Sequence, residues 1–294
     1  MAITTDAHGS RHLTNAGATE VAGKVGNGAY IGASYLLSLA TDAGIEFVGV
    51  DFYVAMWVKW DTLSGSWQVP ATKRPGATTG GEWQLRIGPG DLLQFIAYGT
   101  GGDAVIDCSV TPVTGTWYFI ELGVKDGGTT AFLAVNRGSD ETAACAIDEI
   151  GSELYIGSDA AGNGLLGKID QVAIYDAVPD STYRDHLYNS GNGRAYAALS
   201  GTTNLVAFWE LGEHAIPVAS ISASQTTIAE NGGTASVVVL LDAPASGTVT
   251  VNLGFSGSAT LNTDYSASSN SIAIASGGTS GSVSIRSIDD AIRD

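Results

Sequence analysis

Basic residues are scarce in this chain of 294 residues, where 13 Lys and Arg stand against 30 Asp and Glu and give a formal net charge of -17. Because Lys and Arg supply the affinity for phosphate backbones, this balance argues against nucleic acid as a partner. Long apolar runs are also missing, and none approaches the roughly 20 residues needed to cross a bilayer. We therefore expect no membrane insertion.

The opening residues lack the basic and apolar pattern of a secretory signal peptide. Two origins fit this absence: a piece of a secreted protein, or a virion component that is released by lysis. The expected location is therefore extracellular or on a virion surface.

Cysteine is nearly absent, with Cys108 and Cys145 as the two examples. They could form one disulfide that closes a loop of about 37 residues, and the loss of chain entropy in the unfolded state would then stabilise the fold by about 3 to 4 kcal/mol. Two separate thiols are the alternative, because free cysteine is commonly buried. The sequence leaves both alternatives open.

Familiar catalytic patterns are missing as well. The four histidines fall outside any H-E-x-x-H pattern, and there is no G-x-S-x-G elbow, P-loop or C-x-x-C. His8 and His12 flank a loop with Asp6, which either binds a metal or is solvated. We predict no catalytic residue.

Glycine, by contrast, is abundant, with 39 Gly against 7 Pro. Together with many Thr, Ser and Val, it favours short strands joined by tight turns. The alternating, strand-like segments in the first half are residues 50–60, 81–87, 92–98, 115–122 and 130–136. Such spacing is typical of a sandwich or jelly roll, and the length allows one large β domain and a smaller one. We predict an all-β protein.

Residues 154–176, LYIGSDAAGNGLLGKIDQVAIYD, join two strand-like runs through a loop of Gly, Asp, Ala and Asn. This signature resembles the closing part of LamG-like domains, the concanavalin A-like lectin/glucanase jelly rolls. Looser matches appear in the family's order at 23–31, GKVGNGAYI, at 51–63, DFYVAMWVKWDTL, and at 114–128, TGTWYFIELGVKDGG. The resemblance covers most of residues 1–213 and implies a jelly-roll sandwich.

One strand of the family pattern is displaced. Family modules usually open with an apolar strand ending in Trp and an acidic turn, but the matching strand, NLVAFWEL, lies here at 204–211. It could enter its usual slot from the C-terminal side, because the termini of such domains often lie close together. It could also belong to a following repeat, or fill the slot of a neighbouring molecule and so build an assembly by strand exchange.

Composition changes at residues 214–217, which we interpret as a linker. Residues 218–294 contain no Trp and resemble Calx-β domains, which are smaller immunoglobulin-like sandwiches. The matching stretches are IAENGGTA at 228–235, ATLNTDY at 259–265 and IDD at 288–290. Because the family continues beyond this Asp pair, we expect an incomplete domain, either part of a longer array or completed by another chain.

Carboxylates supply the metal candidates. Calcium takes six to eight oxygen ligands, and the Calx-β resemblance implies that it is bound by Glu230, Asp264, Asp289 and Asp290. Asp159, in the Gly-rich loop of the first domain, is a further metal candidate, although Asp in such loops also caps its own backbone. Asp170 lies within a strand and is expected to accept backbone N–H groups.

Sugar binding needs exposed aromatic faces beside planar polar groups. Trp57, Trp117 and Trp209 lie in apolar strands and are expected in the core. The candidate sugar-binding residues are Trp60, Trp67, Trp83 and Arg86, accompanied by Tyr98, Gln68, Lys73 and Gln84. Each could instead pack across strands on a half-buried face.

Glycosidase activity on the same scaffold is disfavoured. Jelly-roll glucanases use an E-x-D-x-x-E arrangement, and the nearest stretch, AIDEIG at 146–151, has Ala and Gly in place of both Glu residues. We therefore expect a non-catalytic recognition or adhesion protein that binds carbohydrate or a surface protein, with Ca2+ as its candidate cofactor. The alternative is a structural subunit of a phage virion or surface filament that binds no sugar.

Overall fold

A computed structural model describes residues 3–74, 81–147, 151–212, 218–242, 248–275 and 278–289. The chain divides into two compact units, Met1–His214 and Ala215–Asp294. Both are built from antiparallel strands, so the predicted all-β class is confirmed. The predicted linker at 214–217 lies outside the described residues.

The first unit contains fifteen strands and one α-helix in its described residues. The strands are β1 (Thr14–Ala16), β2 (Thr19–Ala22), β3 (Asn27–Ile31), β4 (Leu36–Leu39), β5 (Phe52–Trp60), β6 (Gln68–Lys73), β7 (Trp83–Ile87), β8 (Leu93–Ala97), β9 (Ala104–Asp107), β10 (Trp117–Lys125), β11 (Thr130–Val135), β12 (Glu141–Ala144), β13 (Leu154–Ile156), β14 (Gly167–Tyr175) and β15 (Leu205–Trp209). The helix is α1 (Ser181–Tyr188).

Two sheets form the sandwich of this unit. The seven-stranded sheet has the order β1-β4-β13-β6-β7-β8-β9. The eight-stranded sheet has the order β12-β11-β10-β5-β14-β3-β2, with β15 also paired to β14. Their facing sides enclose the main apolar core, to which β5 contributes alternate residues from Phe52 to Trp60.

Two candidate sugar-binding tryptophans belong to this core. Trp60 has the same strand parity as Val58 and Met56, and Trp83 has the same parity as Leu85, so both rings point between the sheets. Each is 0% exposed. A sugar on the surface cannot reach either ring, and the prediction that they bind carbohydrate is wrong. Trp57 and Trp209 are buried as expected, whereas Trp117 is half-buried.

The displaced strand occupies a slot in its own domain. β15 pairs antiparallel with β14, with Val172 opposite Trp209 and Tyr175 opposite Leu205. β3 pairs with the preceding residues of β14, so β3 and β15 follow one another along the same strand edge. The backbone N–H of Ala7 also donates to the carbonyl of Phe208 at 2.7 Å. Of the three explanations for the displaced strand, the structure shows the first: β15 enters the slot of its own domain from the C-terminal side.

Helix α1 covers the outer side of the eight-stranded sheet. Asp180 caps its N-terminus by accepting from the Tyr183 N–H, and Asn189 ends it in a left-handed conformation. Leu187 and other side chains near the helix pack on Tyr53, Trp57 and neighbouring outward-facing residues of this sheet. This sheet therefore has apolar residues on both sides, and the helix covers the middle of its outer side.

A buried charge network fastens the helix to the sheet. Glu121 is 0% exposed and accepts hydrogen bonds from Tyr53 Oη at 2.8 Å and from Arg184 Nε at 2.7 Å. Arg137 Nη1 lies 3.2 Å from the same carboxylate. Arg184 also donates to Asp140 through Nη2 at 2.9 Å. Several donors thus satisfy a charge that would be costly to bury alone.

Cys108 and Cys145 are free thiols, buried and half-buried respectively. The sequence allowed either a disulfide or two separate thiols, and the structure shows separate thiols. Burial raises the pKa of both, which keeps them in the less reactive protonated form.

The second unit is a smaller sandwich. Its strands are β16 (Ala219–Ala223), β17 (Thr234–Leu241), β18 (Val249–Asn252), β19 (Tyr265–Ala267), β20 (Ser271–Ile274) and β21 (Ser280–Ser287). One sheet has the order β16-β17-β21-β19 and the other pairs β18 with β20. Val239, Leu241, Ile272, Ile274 and Val283 form its core.

Candidate functional site

The outer side of the seven-stranded sheet is the sheet surface that α1 does not cover. Strand alternation determines which side chains lie on this side. The odd-numbered residues of β7 point into the core, so Gln84 and Arg86 point away from it. Thr72 and Gln84 in the middle of this surface are buried, whereas Arg86, on the same strand, is half-buried. A ligand can therefore reach the surface at the Arg86 end.

Trp67 and Arg86 form the centre of this accessible end, which we name the Trp67 patch. The patch comprises Trp67, Arg86, Gly88, Gln94 and Asp107. The Arg86 guanidinium lies over the indole, 4.2 Å from the ring centroid, and Trp67 is 41% exposed. Gly88 allows the ring to lie close to the sheet, because a Cβ at this position would come within 2.8 Å of ring carbon Cη2.

Hydrogen bonds hold Arg86 in place across three neighbouring strands. Arg86 Nε donates to Gln94 Oε1 at 2.9 Å, and Gln94 Nε2 donates to Asp107 Oδ1 at 2.6 Å. The register explains these bonds, because Gln94 is paired with Arg86 on one side and with Asp107 on the other. Both functional groups of the Gln94 amide are thus used in orienting its neighbours.

A second pair of a cation and an aromatic ring lies close to the patch. The Arg74 guanidinium is 4.7 Å from the ring centroid of Tyr98, whose hydroxyl donates to Gln84 Oε1 at 3.2 Å. Burial raises the pKa of Tyr98, and the charges of Arg74 and Arg86 oppose that shift. Burial lowers the pKa of Arg86, with the charge of Arg74 acting in the same direction.

The structure therefore brings two predicted sugar-binding residues together, Trp67 and Arg86, and places Trp60 and Trp83 in the core. Sequence reasoning missed Gly88, Gln94 and Asp107. A signal for Gln94 was present, because the turn at 88–91 joins β7 to β8 and places the residue opposite Arg86. Nothing in the sequence pattern distinguished Asp107 from an ordinary exposed carboxylate.

The other polar residues named with them have structural partners. Lys73 Nζ lies 2.7 Å from Glu82 Oε1, and both side chains are 0% exposed. Gln68 donates to the carbonyl of Thr62 and accepts from the Leu166 N–H. Neither Lys73 nor Gln68 is available to a ligand on the sheet surface.

Asp159 and Asp170 both bind backbone. Asp159 accepts from the N–H groups of Ala161 and Asn163, each at 3.0 Å, so it caps its own loop. Asp170 Oδ2 accepts from the N–H groups of Lys24 and Val25, each at 2.7 Å, which confirms its expected role. Burial raises the pKa of Asp170 well above its ordinary value, although these donors oppose the shift.

The carboxylates of the second unit are divided between two pockets. Glu230 and Asp264 line a pocket of about 440 Å³, and Asp289 lines another of about 310 Å³. Asp264 Oδ2 also accepts from the Thr260 N–H at 2.6 Å. Asp290 lies outside the described residues, and those that are described contain no group of three or more His, Cys, Asp or Glu side chains positioned to hold a metal. The described carboxylates alone supply fewer oxygens than the six to eight ligands of Ca2+, so a calcium site here needs further ligands.

Two packed antiparallel sheets with this strand order define a jelly-roll class of protein. The chain belongs to the concanavalin A-like lectin/glucanases superfamily, whose family model matches residues 32–182. The model of the Calx-beta domain matches residues 213–294. Both sequence-based resemblances are confirmed. No curated protein sequence matches the chain.

Several solved structures are similar to this chain at low sequence identity. Domain 4 of AbnA, a GH43 extracellular arabinanase from Geobacillus stearothermophilus solved with arabinotriose, has a TM-score of 0.51 and 13% identity over 66% of this chain and 93% of that one. The enzymatically active domain of bacteriophage CBA120 tailspike protein 2 has a TM-score of 0.49 and 14% identity, covering 68% and 32%. Trypanosoma rangeli sialidase with sialic acid has a TM-score of 0.47 and 15% identity, covering 63% and 31%.

At 13% identity, the likeness to the AbnA domain establishes the fold alone. The chain spans about a third of the tailspike and sialidase chains. Within the described ranges, the structure has no helix of sufficient length and apolarity to cross a membrane.

Proposed function

We propose that the first unit is a non-catalytic carbohydrate-binding domain whose ligand lies on the Trp67 patch. The observation that carries this proposal is the exposed Trp67 ring beside the oriented groups of Arg86 and Gln94. Sugars present C–H faces to aromatic rings and hydroxyl groups to planar polar side chains. The arabinotriose on the AbnA domain supports the choice of a carbohydrate as the ligand.

Three of the buried carboxylates of this unit, the ones with 0% exposure, support a non-catalytic role. Glu82 pairs with Lys73, Glu121 is held by two arginines and a tyrosine, and Asp170 accepts two backbone N–H groups. A glycosidase needs two carboxyl groups facing the scissile bond. These carboxylates are instead engaged in holding the fold.

A glycan array tests the proposal, with Trp67→Ala as the main variant. Covering about 50 Å² of indole is worth about 1.3 kcal/mol, so we expect the affinity to fall about tenfold. Trp117→Ala is the matched control, because Trp117 is also a partly exposed tryptophan with a cation, Lys59, 5.7 Å from its ring centroid, but on the other sheet. Binding that Trp67→Ala leaves unchanged, or cleavage of the bound oligosaccharide, would contradict the proposal.

Calcium enters the proposal as a second, separate component. We propose that Glu230 and Asp264 bind Ca2+ in the second unit, completed by ligands beyond the two that line their pocket. Calorimetry after chelation should then give heat that Glu230→Gln removes. Running the same array with calcium and with chelator shows whether glycan binding depends on the ion. No heat at millimolar calcium would refute the calcium site and leave the glycan site in place.

The proposed role places the protein outside the cell or on a virion surface, where it would meet glycans. A surface protein as the partner would bind without any glycan, and enzymatic deglycosylation of a bound cell surface distinguishes the two. Loss of binding after deglycosylation is the expected result.

A further inference from the structure

The Trp67 patch contains an available positive charge in a strongly acidic chain. The basic side chains that lie within 4.0 Å of a carboxylate include Arg11, Lys59, Lys73, Lys125, Arg137 and Arg184. Arg86 has no carboxylate at that distance in the part of the chain that the structure describes. Its charge is therefore not cancelled by a direct ion pair there.

Gln94 separates Arg86 from the nearest carboxylate in their hydrogen-bonded chain. The amide oxygen accepts from Arg86 at 2.9 Å, and the amide nitrogen donates to Asp107 at 2.6 Å. Asp103 and Asp107 act on Arg86 only through longer-range charge interactions. A neutral side chain thus orients the guanidinium and leaves its net charge intact.

Two features suit this guanidinium to an anionic group. It lies 4.2 Å from the Trp67 centroid, so the ring restrains it, and the planar fork of Arg matches the two oxygens of a carboxylate. Arg74 adds a second guanidinium nearby, over Tyr98.

We propose that the ligand of the Trp67 patch is an acidic saccharide, with its carboxylate paired to Arg86 and a sugar ring against Trp67. This proposal rests on the proposed function and names its ligand class. The net charge of -17 does not prevent such binding. Charges are screened over about 8 Å at physiological ionic strength, so the directly contacting cation dominates over distant carboxylates.

Calorimetry with matched acidic and neutral sugars tests the ligand class. The probes are trigalacturonic acid and its methyl ester, and sialyllactose and lactose, so uronate and sialate sources are distinguished. We expect at least one acid to bind about tenfold tighter than its neutral counterpart, the factor for one hydrogen-bonded charge pair. Arg86→Gln should remove this preference, because it weakens binding of the acidic sugar more than binding of the neutral one.

Two further variants make the result decisive. Lys59→Gln is the matched control, since it also removes a cation over a tryptophan, and should preserve the preference. Arg86→Lys keeps the charge without the planar fork and should lie between wild type and Arg86→Gln. Thermal unfolding of each variant checks that it is folded.

The outcomes separate the two proposals. Binding that Trp67→Ala weakens, with equal affinities for acidic and neutral sugars, would overturn the acidic ligand and keep the carbohydrate site. An unchanged preference in folded Arg86→Gln would also overturn it. Absence of any binding sensitive to Trp67→Ala, for all four probes and on the array, would overturn the carbohydrate site itself.

Discussion

Lys73→Met removes one partner of a fully buried ion pair and should strongly destabilise the first unit. Lys73 Nζ lies 2.7 Å from Glu82 Oε1 and donates to the Ile45 carbonyl at 2.8 Å. The other Glu82 oxygen accepts from the Phe47 N–H at 3.3 Å. With both side chains at 0% exposure, Met leaves Glu82 buried without its counter-charge.

The expected cost is about 3 to 5 kcal/mol at neutral pH, the usual range when one member of a buried pair is removed. Removing both charges should cost much less, because two apolar side chains of similar volume avoid the desolvation of either ion. Lys73→Met with Glu82→Leu is therefore expected to be more stable than Lys73→Met alone. This ordering distinguishes an unpaired buried charge from simple loss of packing.

The loss should also depend on pH. Burial raises the pKa of Glu82, and the charge of Lys73 is the main opposing effect, so Lys73→Met raises this pKa further. Between the ordinary Glu pKa of about 4.3 and the raised value, the folded state binds more protons than the unfolded state. The free energy of unfolding therefore falls as pH rises through this window, and Lys73→Met recovers part of its stability at lower pH.

Urea unfolding followed by tryptophan fluorescence measures these effects in the first unit alone, because all six tryptophans precede residue 214. The comparison needs wild type, Lys73→Met and the double variant at about pH 5 and about pH 7. A cost below about 1 kcal/mol for Lys73→Met would refute the reasoning. So would a pH dependence equal to that of wild type.

Two shorter predictions concern Gly88 and the thiols. Gly88→Ala should displace the Trp67 ring, because the added Cβ would overlap it. Glycan binding should then weaken about as much as in Trp67→Ala, while the free energy of unfolding changes by less than about 1 kcal/mol. Unchanged binding would show that the position of the ring does not depend on this clearance. Thiol titration should find two reactive groups after denaturation. In the folded protein, Cys145 should react before Cys108 because it is less buried. A titre of zero in denaturant without reductant would indicate a disulfide.

The fold was largely predictable because strand periodicity and turn chemistry are local signals. The difficulty lay in choosing which side of a strand faces the core. β5 has apolar residues at both parities, since one side packs between the sheets and the other lies under α1. Alternation alone therefore could not separate Trp57 from Trp60, and both are buried.

The candidate site was predictable only in part. Trp83 shares its parity with Leu85 and Ile87, which was a usable sign that it faces the core, whereas Arg86 has the opposite parity. Trp67 precedes β6 in a loop, and no periodic pattern determines the position of a loop side chain. Its contact with Arg86 depends on the clearance at Gly88, which is a property of the folded backbone.

Helix α1 has a consequence for binding strength. Because it covers the middle of the outer side of the eight-stranded sheet, the site that we propose for a polysaccharide is one small patch on the other sheet. Tight attachment to a long glycan then has to come from several copies acting together, since linked weak sites gain affinity through effective concentration. Under this proposal, the spacing between copies would decide which repeating polymers are held firmly.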